Sequence, residues 1–136
     1  MMLRYIAAWL GAGLAIGGLD FFWLTTTNAT VYRPVLHTIL LDGVRPVPAG
    51  LFYLVYLVGV VIFGVSPGLR SGRWRDATLM GALFGFFAYA TYDLTNQATL
   101  AVWATHITLM DLAWGTFLTA TGATAGYFAS RLAPRA

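Results

Sequence analysis

The stretch ATLMGALFGFFAYATYDLTNQ, residues 77–97, decides how the chain folds. A bilayer core about 30 Å thick is crossed by roughly 20 apolar residues of helix, and this run has that length and character. Near its end stands Asp93. A charged aspartate at the centre of a lipid-embedded helix costs about 2.5–3.5 kcal/mol, less toward the interface, so its carboxyl has to face something other than lipid. The rest of the chain has to supply that surrounding.

The 136 residues are 59% hydrophobic and 10% charged, with a mean hydropathy of +0.72, which excludes an ordinary water-soluble globule. The charge is carried by eight arginines and five aspartates, without Lys or Glu, for a net +3. That balance is too small to attract nucleic acid, and no arginine-rich run with interleaved aromatics or helix-turn-helix signal is present. The absence of cysteine removes disulfides, thiolate catalysis and Cys-ligated metals.

Three further stretches, residues 5–26, 48–66 and 107–130, are long and apolar enough to cross a membrane or nearly so. The expected fold is all-α: a polytopic membrane protein, a single domain over residues 1–136, with four transmembrane helices in a bundle. Pro48 suits a first helical turn, Pro67-Gly68 a helix end and Asp76 an N-cap. Arg4 before the first run imitates a secretory leader, but the run is too long, lacks a small-x-small cleavage site and ends in LDFFWLTTT. Arg4, Arg70, Arg73, Arg75, Arg131 and Arg135 fall on one side of a four-span arrangement and only Arg33 and Arg45 on the other, which places both termini in the cytoplasm. The longest external segment, residues 28–50, contains YRPVLHTILL. It reads either as a short interfacial helix with Arg33 and His37 toward water or as a plain loop.

Depth brings three acids together. Asp20 lies about six residues, or roughly 9 Å at 1.5 Å per residue, below the outer end of the first span. Asp93 is at a similar depth in the third, and Asp111 about one turn inside the fourth. At 100° per residue Gly13, Gly17 and Asp20 share a face of the first helix. Gly85, Tyr89 and Asp93 do so on the third, with Gly81 near the edge of that face, and Asp111, Gly115, Gly122 and Gly126 on the fourth. Small residues at such spacing let membrane helices pack closely, so all three acids are expected to point inward, where they act either as hydrogen-bonding glue or as a cluster. A cluster would hold a shared proton, titrate as a unit or bind a cation. GAGLAIGG, residues 11–18, has no strand before it and reads as helix packing rather than as a dinucleotide fingerprint.

The neighbours are aromatic and hydroxylic. DFFWLT (residues 20–25) and DLAWGT (residues 111–116) both read D-x-x-W-x-T, on helices that run in opposite senses, as in the inverted repeats of transporters. Trp23 and Trp114 are therefore candidate pocket walls, with anchoring in the interfacial belt the alternative. Tyr92, Thr95 and Asn96 are candidate donors to the carboxyls, and Tyr53 with Tyr56 a candidate fourth wall. His37 and His106 lie on the same side but have no metal-ligand spacing, so neither a metal nor another cofactor is expected.

With GLDFFWL (residues 18–24), LFYLVYLVG (51–59), ATYDLTNQATL (90–100) followed by Trp103, and D-x-x-W-G (111–115) in order, the chain resembles the small bacterial membrane proteins catalogued as domain of unknown function 2177. The resemblance covers nearly the whole length, and Tyr92 to Asn96 is its most specific element. It implies a four-span inner-membrane protein without family catalytic residues to carry over. Family members are encoded near enzymes that modify acyl chains, which implies a lipid connection. The positions that match are Asp20, Trp23, Tyr92, Asp93, Asn96, Asp111 and Trp114.

Three functions compete at this stage. The first is an outer-side pocket that binds a small amphiphile such as a modified acyl chain or isoprenoid, with a shared-proton pair drawn from the three acids available for acid–base chemistry. The second is proton- or cation-coupled transport of a small solute, with a homo-oligomer supplying a thicker wall. The third is an accessory subunit whose glycine faces pack on a membrane partner.

Overall fold

The computed structural model describes residues 1–134. Arg135, counted above among the cytoplasmic arginines, lies outside the described residues. Four helices occupy most of the described chain: α1, Met2–Leu36; α2, Pro46–Ser71; α3, Trp74–Thr99; and α4, Thr105–Leu132. Two of these, α1 and α2, are long and apolar enough to cross a membrane. Large apolar side chains stand exposed around the bundle, among them Leu14, Phe21, Val55 and Phe87. An apolar surface so extensive has no counterpart on soluble monomers.

α4 is the central helix. It packs along α1 on one side and α3 on the other, while the middle of α2 crosses both α3 and α4. The close fit comes from residues without bulk. A Cβ at Gly81 would stand 2.8 Å from the Thr119 carbonyl oxygen, one at Gly126 2.7 Å from that of Ala8, and one at Gly85 would collide with the Gly115 carbonyl oxygen. Gly115 in turn leaves the space that the Tyr89 ring fills. On α1 the buried row is Ala8, Ala12, Ile16 and Asp20, not the Gly13–Gly17–Asp20 face read from the sequence. The reason is visible at the glycines: Gly13 approaches only Leu57, and Gly17 has no neighbouring atom within 4 Å of where its Cβ would be.

Two prolines shape the helices differently from the sequence reading. Pro67-Gly68 does not end α2. Instead the helix widens into a π turn over Val60–Val65, and the Ser66 amide donates to Val61, five residues back. The Ser66 hydroxyl donates to the same carbonyl at 2.9 Å. Proline has no N–H and its ring presses on the carbonyl four residues back, and a widened turn before it relieves both problems. α2 ends at Gly72, whose positive φ of 72° suits the left-handed stop that glycine supplies. α1 repeats the device: a π turn over Asn28–Tyr32 precedes Pro34, and the Arg33 amide donates to Asn28. YRPVLHTILL is thus neither a separate interfacial helix nor wholly a loop, since its first residues extend α1 to Leu36. Asp76 likewise is not the N-cap of α3. That place is Arg73, and Asp76 sits in the first turn 3.5 Å from the Arg73 guanidinium.

The helices alternate in direction, so both described termini and the α2–α3 turn share one end. There Arg4 donates to the Ser130 carbonyl at 3.4 Å, and the Tyr127 hydroxyl to the Gly72 carbonyl at 2.8 Å. Asp20, Tyr53, Asp93 and Asp111 share the other end. Gly85→Ala and Gly115→Ala are each expected to destabilise the bundle by about 1–3 kcal/mol through overpacking. Gly18→Ala, in open space, should lose nothing. Reversible unfolding in detergent micelles measures the difference.

Candidate functional site

α1 delivers Asp20 to the bundle interior at 7% exposure, where two donors hold it. The Tyr53 hydroxyl, about two turns into α2, donates to one carboxyl oxygen at 2.9 Å. The Trp114 indole N–H of α4 donates to the other at 3.2 Å. Three residues past Asp20, Trp23 lies face to face with Trp114, with ring centroids 4.3 Å apart and planes within 9°. The two D-x-x-W-x-T segments therefore meet at their tryptophans, and Trp114 of one serves the acid of the other.

The reciprocal half runs through a residue that the sequence reading did not single out. The Trp23 indole N–H donates to the Tyr32 hydroxyl at 2.9 Å, and that hydroxyl donates to Asp111 Oδ1. Tyr32 reaches inward because α1 continues through its π turn instead of breaking near Asn28. Pro34 argues for a break when read alone, and a π turn leaves no pattern of its own in the residues. The proline's need for relief was the one available signal.

Asp93 differs from the other two acids. It is wholly buried, and neither of its oxygens has a hydrogen-bond partner among the described residues. Asp111, on α4, is its acidic neighbour. Ionised carboxylates are acceptors only, so these two acids cannot satisfy one another without a proton. An orphaned buried carboxyl of this kind calls for a physical reason beyond packing.

These groups border a cavity of about 400 Å³, within the usual range for small-molecule sites. Asp20, Trp23, Tyr32, Tyr53, Asp111 and Trp114 line it, with Tyr89, Tyr92 and Trp103 completing the aromatic wall and Leu36, Leu40 and Phe52 adding apolar area. Of the candidates from sequence, Asp93 stands behind Asp111 rather than on the lining. Tyr56 is turned away, its hydroxyl paired with Thr119 Oγ1 at 2.6 Å. Asn96 also lies off the lining, while Thr95 spends its hydroxyl on carbonyls of its own helix, those of Thr91 and Tyr92. None of Tyr92, Thr95 and Asn96 donates to a carboxyl among the described residues; Tyr92 is 61% exposed and its ring meets that of Trp103 edge-on. Trp103 is held by a polar clasp between α3 and α4: its indole N–H donates to Thr108 at 3.0 Å, and Thr108 donates to Gln97 at 2.7 Å.

A family model described as "Predicted membrane protein (DUF2177)" matches residues 5–128. No curated protein and no solved structure matches the chain.

Two substitutions read out this network. Tyr32→Phe removes the bridge and strands both the Trp23 N–H and an Asp111 oxygen, which should cost about 1–3 kcal/mol. Asp93→Asn offers Asp111 an amide donor and should leave stability at neutral pH unchanged or raised by about 1 kcal/mol. Urea unfolding in micelles at fixed pH checks both, and a large loss in Asp93→Asn would show that the carboxyl pair is not short of a donor.

Proposed function

Because the chain belongs to the DUF2177 family of predicted membrane proteins, we propose that all four helices cross a bacterial inner membrane and that the aromatic cavity binds the polar end of a small amphiphile. The exposed apolar girdle supports four crossings. The arginines support an orientation with both termini cytoplasmic and the cavity in the periplasmic half, since Arg4, Arg70, Arg73, Arg75 and Arg131 gather at the end opposite the acids. α3 and α4 are less apolar because they carry the inward acids and threonines, and α4 is covered by protein on both sides.

The observation that carries this reading is the combination of an aromatic-walled cavity of ligand size with two carboxyls on its lining, each held in place by a tyrosine or tryptophan donor. Structural glue needs no cavity, and belt tryptophans do not stack on each other across a bundle to hold acids. Lone pairs of Asp20 and Asp111 beyond those already engaged are available to an incoming donor.

A second reading, proton-coupled transport, draws on one specific observation: the orphaned carboxyl of Asp93 beside Asp111. A proton site next to a ligand cavity is the minimum that coupling requires. A loaded cavity and a shared proton are also the parts of an acid–base site, and either use begins with the same binding event.

Purification in mild detergent followed by native mass spectrometry tests the proposal. An amphiphile retained at about one per chain is expected, and Ala49→Trp, which fills the cavity from its lining, should release it while the circular dichroism stays helical. A chain that carries no amphiphile, or retains it equally in Ala49→Trp, counts against the pocket. Proton-driven uptake into liposomes abolished by Asp93→Asn would move the assignment to transport. Recovery of one stoichiometric membrane partner, indifferent to Asp20→Asn, Asp93→Asn and Asp111→Asn alike, would move it to an accessory subunit.

A further inference from the structure

The acid cavity adjoins a larger one. Leu24, Asn28 and Tyr53 line both it and a groove of about 800 Å³ between α1 and α2. The groove exists because these two helices touch where Gly13 meets Leu57 and leave open space at Gly17. Its walls are apolar for most of their length, with Leu10, Leu14, Phe21 and Leu57 prominent and Trp9 at the far end. From Asp20 to Trp9 is eleven residues of helix, about 17 Å at 1.5 Å per residue. That is slightly more than half of a bilayer core about 30 Å thick, the span of one extended hydrocarbon chain.

The polar end of this paired space is specific in charge. The lining of the acid cavity holds Asp20 and Asp111 and no Arg, Lys or His. Asp93, off the lining, is fully buried and receives no donor among the described residues. A carboxylate or phosphate head would add a like charge to this set. An ammonium head supplies donors and a compensating charge, and Trp and Tyr rings around it add cation–π attraction.

We propose that the occupant is a single-chain cationic amphiphile, a long-chain amine whose ammonium rests between Asp20 and Asp111 and whose hydrocarbon chain lies in the α1–α2 groove past Gly17 toward Trp9. The assignment rests on the cavity taking the polar end of an amphiphile, and it adds which head and which path. Two observations support it, the lining residues that polar cavity and apolar groove have in common and the one-signed charge of the cavity.

The test uses the full chain in phosphatidylcholine nanodiscs, with octadecylamine brominated near either the head or the chain end as a quencher of tryptophan fluorescence. The chain-end bromide should quench emission that disappears in Trp9→Phe, and the head-proximal bromide should quench what remains in that variant. Gly17→Leu, which fills open space, should weaken octadecylamine binding by about ten-fold and leave butylamine binding unchanged. Gly18→Leu, equally open but off the groove, is the control for folding and should bind both amines as the parent does. Octadecanoic acid brominated in the same way should bind at least about ten-fold more weakly than the amine.

The failures separate. Amine binding that ignores Gly17→Leu overturns the groove path while the cavity stands. The fatty acid binding as well as the amine overturns the cationic head. Failure of butylamine and octadecylamine alike, in a chain that retains no amphiphile on purification, overturns the cavity reading on which the assignment rests.

Discussion

Everything at the acid end depends on how closely α3 can approach α4. At Gly85 and Gly115 the two helices meet with backbone against backbone, and the Tyr89 ring slides over the space that Gly115 leaves. In a membrane no hydrophobic exclusion pulls helices together, so such contacts set both distance and register. From that fixed point Asp93 lies two turns along α3 and Asp111 one turn back along α4, which makes the two acids neighbours. A bulkier residue at either glycine would separate the acids before it disturbed anything else about them.

The polar network that follows has an approximate two-fold character. Each D-x-x-W-x-T segment presents an acid and, one turn on, a tryptophan; the tryptophans stack, and each indole N–H is directed at the acid of the opposite segment. On one side the connection is direct, from Trp114 to Asp20. On the other it is too long for an indole alone, and Tyr32 bridges it. Tyr53 then gives Asp20 a phenol of its own, so that each acid on the lining is held by one tyrosine hydroxyl. The symmetry breaks at Asp93, which lies outside both D-x-x-W-x-T segments and has no donor among the described residues.

Much of this was legible in the residues because it follows from helical periodicity and hydropathy. The apolar runs located four helices, and depth counting put Asp20, Asp93 and Asp111 at one end. The small residues of α3 and α4 marked the faces that pack. What escaped has identifiable physical causes. Pro34 and Pro67 stop helices in water more often than they widen them, so neither the extension of α1 nor the unbroken α2 could be read off, and with the extension went Tyr32. Gly17 has the spacing of a packing residue, yet glycine is equally what a chain places beside empty space, and composition does not distinguish the two. Tyr56 and Asn96 lie near the correct height but off the lining, and Tyr56 pairs with Thr119 instead.

The two ends of the bundle are tied by different means. At the terminal end Tyr127, nearly fully buried, donates its hydroxyl to the main chain at Gly72 and receives the Arg131 guanidinium at 2.8 Å, beside a very short turn between Ser71 and Trp74. At the opposite end the joints span residues 37–45 and 100–104, and the ties pass between side chains. A bundle tied in this way is easier to part at the rim, where only side chains have to let go, than at the base, where the ties reach the main chain itself.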